Sequence, residues 1–142
     1  MNNKPIVELL RETAERLDQG ARYEWGHMGR CNCGHLVQTL TDMSDREISF
    51  SVDNQLDEWS EHAKSYCAET GSPVEDIFHA LAQVGFSHED VVRLERLSDP
   101  RVLKHLGGKG KQLRRNYSPD VSLYMRALAE VIELEKARAC HR

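Results

Sequence analysis

The chain contains no run of apolar residues long enough to cross a bilayer, no second pair of closely spaced cysteines, no basic excess and few aromatics. Its 142 residues include three Phe, two Trp, four Tyr, four Pro and four Cys. A membrane span needs roughly 20 consecutive apolar residues, so no membrane partner is expected. The first dozen residues carry Lys4, Glu8, Arg11 and Glu12 and offer no apolar segment of signal-peptide length. A cytoplasmic protein with reduced thiols is therefore expected. The 19 Lys and Arg against 23 Asp and Glu leave a formal net charge of -4, which argues against a dedicated nucleic-acid binder.

What the chain does have is helical punctuation. With 39% hydrophobic and 30% charged residues, it has the composition of one globular domain able to bury a core. Ile6, Leu9, Leu10, Ala14 and Leu17 recur at helical spacing, and Gly20 can end that helix. Ser44-Asp-Arg-Glu47 fits a capping box, as Ser72-Pro-Val-Glu75 does with Pro73 in the first turn. Ser87 caps a further helix, with Phe86 and Val91 placed as a hydrophobic staple. Asp99-Pro100 starts a short helix ended by Gly107-Gly108. Ser118-Pro119-Asp120 starts the last, which runs to about Arg138. Leu36–Leu40 reads as a short helix beginning near Gly34, and Ile48–Val52 alternates with a period of two that also fits an extended strand. The expected fold is all-α: an irregular multi-helix bundle in a single domain, with a glycine-rich structured loop near residues 20–34.

Chemistry concentrates in His27-Met-Gly-Arg-Cys31-Asn-Cys33-Gly-His35. Thiolates and imidazoles are soft metal ligands and good nucleophiles. Run extended, residues 31–35 place Cys31, Cys33 and His35 on one side. Cys67, on the inward stripe of a helix over about 52–70 (Val52, Leu56, Trp59, Ala63), supplies a fourth donor, which suits zinc or iron. Structural zinc sites favour paired Cys-x2-4-Cys knuckles, and this chain has one Cys-x-Cys. The same residues also fit thiol chemistry: Cys33 lies just before the expected helix start, where the dipole lowers a thiol pKa, and His35 or His27 can act as base. The plainest reading makes Cys31, Cys33 and Cys67 small buried residues in a tight turn. His62 and Tyr66, one turn apart after Glu58, form a second-tier column that can bind metal, move protons or simply face solvent. Cys140, near the chain end, is a bystander.

Charge is uneven. From Asp42 to Asp76 there are ten acids and two Lys or Arg; from Arg101 to Arg115 there are six Lys or Arg and no acid. The pattern fits two solvated faces or a docking surface for an anion or partner. Gly107-Gly-Lys-Gly-Lys111 lacks Walker spacing. The helices flanking Gly85 have helix-turn-helix length, but the acids of His88-Glu-Asp-Val-Val-Arg-Leu-Glu-Arg-Leu97 repel phosphate.

Tyr23-Glu-Trp-Gly-His-Met-Gly-Arg-Cys-Asn-Cys-Gly-His-Leu36 and Leu94-Glu-Arg-Leu-Ser-Asp-Pro-Arg-Val-Leu103 resemble a group of small bacterial all-α proteins with a Cys-Asn-Cys-Gly motif and no known activity. The resemblance spans most of the chain and implies a bacterial, cytosolic protein. It implies no mechanism. Three functions are thus expected in competition: metal or small-ligand binding at the Cys/His cluster, a thiol-dependent enzyme or redox sensor, and a protein-interaction module using opposite-charge faces, through self-association among other routes, with structural cysteines.

Overall fold

A computed structural model describes residues 4–24, 29–51, 73–108, 113–114 and 116–140, with the side chains of 49–51, 73–75 and 140 left aside. The expected helix over 52–70 lies outside the described residues. Among those described there are seven helices and no strand: α1 Ile6–Asp18, α2 Asn32–Thr41, α3 Asp45–Ser51, α4 Pro73–Gln83, α5 His88–Arg96, α6 Pro100–Leu106 and α7 Ser118–Cys140. The fold is all-α, as the periodicity predicts.

The boundaries follow local chemistry. Helix ends leave backbone donors and acceptors without intrahelical partners, so side chains at the ends decide where helices begin. Ser44 and Glu47 exchange the two bonds of a capping box at the start of α3, at 3.1 and 3.2 Å. Ser87 and Asp90 do the same for α5. Asp99 caps α6 and Pro100 opens it. Gly20 and Gly85, at φ of +95° and +87°, turn the chain after α1 and α4. Residues 48–51 are helical; the capping box overrides the period-two alternation there, so the extended alternative is incorrect over those positions.

The longest helix, α7, pairs antiparallel with α1. Asp18 accepts from Ser122 at 2.7 Å and from Arg126 at 2.5 Å, Glu15 from Arg126 at 3.2 Å, and Glu133 from Arg11. The fused core runs through Leu9, Leu10, Leu36, Leu40, Ile48, Phe78, Leu81, Val91, Leu94, Tyr124 and Met125, all nearly inaccessible to solvent. Burying each such side chain contributes about 1.5–3 kcal/mol. Phe86 and Val91, the expected staple, are both buried. Tyr124 fastens α7 to the α5–α6 link: its hydroxyl accepts from the Asp99 amide at 3.0 Å and donates to the Arg93 carbonyl at 3.3 Å.

Candidate functional site

Helix α2 starts two residues earlier than expected. Cys31 is its N-cap, in extended backbone, and its Sγ accepts from the Gly34 amide at 3.4 Å. Residues 32–35 are therefore the first helical turn, not an extended run, and successive alternate residues point about 200° apart around the axis. The expectation that Cys31, Cys33 and His35 share one side is corrected on that ground.

Each residue has a separate engagement. Cys33 donates from Sγ to the Val91 carbonyl of α5 at 3.3 Å. Asn32, between the cysteines, has no exposed surface. Its Nδ2 donates to the Leu94 and Glu95 carbonyls, both at 3.1 Å, and its Oδ1 accepts from the Tyr23 hydroxyl at 2.5 Å. Those carbonyls belong to the last turn of α5, where the regular i to i+4 ladder ends; the Leu94 carbonyl also accepts from the Leu97 amide at 3.3 Å. Asn32 thus closes the C-terminus of α5 with the N-terminus of α2. The two dipole ends that meet are of opposite sign, which favours the joint.

His35 is 2% exposed. Its Nε2 stands 2.8 Å from the Arg22 carbonyl, so Nε2 carries the proton and Nδ1 is a bare lone pair. Nδ1 has no hydrogen-bond partner among the described residues. The ring stacks on Tyr23 at 6.1 Å between centroids. Burial pushes its pKa down to about 4, Arg16 and Arg30 push the same way, and the Arg22 carbonyl and Asp45 offset part of it. The imidazole is neutral near pH 7.

Both thiols are also held neutral. Burial, and next the charge of Glu95, push Cys31 up to about 12 and Cys33 well above its ordinary value. The expected dipole-lowered pKa of Cys33 is overturned because desolvation outweighs the helix end. Tyr23 is raised by the same burial and by the nearby thiols and Glu95. Among the described residues, no group of three or more His, Cys, Asp or Glu stands in an arrangement that could hold a metal ion. His27, His62, Tyr66 and Cys67 lie outside the described residues.

The loop leading into α2 is packed tightly. A Cβ on Gly29 would meet the Asp45 carbonyl oxygen at 2.1 Å, and Arg30 bonds Asp45 at 2.5 Å. Gln38 donates to the Gly29 carbonyl at 2.5 Å, and Arg16 holds Gln38 and Thr39, both at 2.8 Å. Sequence reading missed Asn32 and Glu95. Glu95 is 2% exposed, and the signal for it was its place on the inner stripe, four residues after Val91 and one after Leu94.

A second candidate lies at the surface. Between α6 and α7 is an open cleft of about 380 Å³ lined by Arg101, Lys104, His105, Val131, Leu134, Glu135 and Arg138. Arg101 is engaged with Asp99 at 3.1 and 2.7 Å and with both oxygens of Glu135 at 3.0 and 2.9 Å. His105 meets Glu130 at 2.6 Å. Lys104 and Arg138 are exposed, with no ion-pair partner among the described residues. Leu134 is 47% exposed beside them.

No family model, curated protein or solved structure matches the chain in comparisons with known proteins. No helix of the described residues is long and apolar enough to cross a membrane.

Proposed function

We propose that the chain is a protein-interaction module in which the cysteine–histidine cluster is structural and the α6–α7 cleft docks an acidic segment of a partner protein. The observation that carries this reading is the pair of exposed cations on the cleft wall, Lys104 and Arg138, which have no ion-pair partner among the described residues, with Leu134 exposed beside them. An acidic segment bearing one apolar side chain complements both features. The acid meets Lys104 and Arg138, and the apolar group covers Leu134 and Val131. Rim charges of this kind set association rate and salt dependence more than affinity, and an apolar anchor supplies the part of the energy that salt does not screen.

A fluorescent Glu-rich peptide with one central leucine tests it by anisotropy. Binding is expected at 50 mM salt, weakened about tenfold or more by the Lys104→Glu, Arg138→Glu pair. No binding at millimolar protein, or binding indifferent to that pair, sinks the reading. Because residues 42–76 are acid-rich, sedimentation at varied salt distinguishes a second copy of this chain from a different partner.

A metal or small ligand at the cluster is the second reading, and the bare buried Nδ1 of His35 favours it. Elemental analysis of purified protein for zinc or iron decides it: stoichiometric metal supports the reading, and its absence together with no uptake on reconstitution removes it.

A further inference from the structure

The Arg101–Glu135 ion pair borders a second hollow on its other side. This cavity, about 390 Å³ and open to solvent, lies among the start of α1, the α4–α5 turn, α6 and α7. Its volume lies within the range of small-molecule sites. Ile6, Phe86 and Leu128, all 5% exposed or less, form its apolar wall with Ile132.

The charges around it are unequal in what they have left to offer. Arg101 is held by Asp99 and Glu135. Glu135 gives both oxygens to Arg101. Asp90 gives one oxygen to the Ser87 amide and hydroxyl, at 2.9 and 3.0 Å, and turns the other toward Arg101. Lys136 lines the cavity too, and has no ion-pair partner among the described residues. Leu128, Ile132 and Lys136 follow each other at four-residue steps and form one column on α7. From Leu128 to Lys136 the helix rises about 12 Å, which leaves room for an extended eight-carbon carboxylate.

We propose that this cavity binds a linear aliphatic carboxylate of medium length. Its chain lies along Leu128 and Ile132 against Ile6 and Phe86, and its carboxylate meets the Lys136 ammonium at the mouth. The site does not depend on the docking cleft, which Lys136 does not line.

Calorimetry and thermal shift with sodium octanoate test the assignment, with octanol and acetate as probes of the chain and the charge alone. Octanoate is expected to bind and raise the melting temperature. Lys136→Gln, a change at an exposed position, is expected to weaken octanoate about fivefold or more while leaving octanol unchanged. Ile132→Trp, which fills the cavity, is expected to abolish both. Octanoate that fails to bind at 10-fold molar excess over millimolar protein overturns the proposal, and so does octanoate binding that survives Ile132→Trp in a folded protein. Equal affinity for octanoate and octanol overturns the carboxylate assignment.

Discussion

At the α2–α5 junction, the two cysteines and Asn32 are dry and committed. Cys31 caps a helix, Cys33 and Asn32 serve carbonyls of α5, and the thiols are held protonated by burial. At the α6–α7 cleft, ordinary surface residues are wet and uncommitted: Lys104 and Arg138 stand exposed beside Leu134. The contrast teaches that residue identity marks where chemistry could occur, whereas leftover binding capacity marks where a partner can act. An interior group whose bonds are all made contributes to stability. An exposed charge without a partner contributes little to stability and remains available to a ligand.

The largest effect should come from the junction. Asn32→Ala removes a fully buried side chain that donates to two carbonyls of α5 and accepts from the Tyr23 hydroxyl. A loss of about 3 kcal/mol or more is expected in urea denaturation. A loss below about 1 kcal/mol would erase the distinction between the two regions.

Acid should expose the next effect. The pKa of His35 is depressed in the fold, so in the window between its ordinary 6.5 and about 4 the unfolded chain binds the proton and the native state does not. The contribution of His35 is therefore complete above pH 6.5 and is lost as pH falls through about 4. Its size is on the order of 3 kcal/mol. Carboxylates titrate in the same range, so the readout is the difference between wild type and His35→Gln at pH 7, 5.5 and 4. That difference should shrink toward acid pH; a constant difference contradicts the neutral buried imidazole.

The two cysteines should then part company. Cys33→Ser loses apolar burial, and its shorter C–O bond draws the donor away from the Val91 carbonyl, so it is expected to cost about 1–2 kcal/mol. Cys31→Ser loses apolar burial but gains a better N-cap, and should stay within about 1 kcal/mol of wild type. Both thiols should resist iodoacetamide in the native state near neutral pH. Their raised pKa values give stability that is present below the unfolded thiol value and is lost as pH rises toward about 12 for Cys31. Fast labelling at pH 7.5 would place these thiols with the reactive kind.

The smallest change in stability belongs to the cleft. Lys104→Glu with Arg138→Glu should alter folding stability by no more than about 0.5 kcal/mol while removing acidic-peptide binding. A large destabilisation would mean that these cations are committed in the fold after all.

Much of the architecture was legible because caps act locally. Ser44 with Glu47, Ser87, and Gly20 and Gly85 each decide an end from a few neighbouring residues, and all stand where the sequence puts them. The start of α2 was not legible, because a sulfur cap lacks the Ser, Thr, Asn or Asp signature. Nor was the role of Asn32, whose partners Leu94 and Glu95 are more than sixty residues away and become partners only when α5 meets α2. The basic run at 101–115 was visible as a charge excess. Which of its cations would remain unpaired depended on where α7 carries Glu130 and Glu135.

Gly29 sets a limit on how this chain can vary. Its neighbour across the loop is backbone, the Asp45 carbonyl at 2.1 Å from any added Cβ, so no rotamer change can make room. Gly108, by contrast, has open space around the same position. In a saturation library selected for folding, position 29 should return glycine alone, and position 108 should return nearly every side chain. The loop entering α2 is closed to mutational drift at one residue, and the junction behind it inherits that constraint.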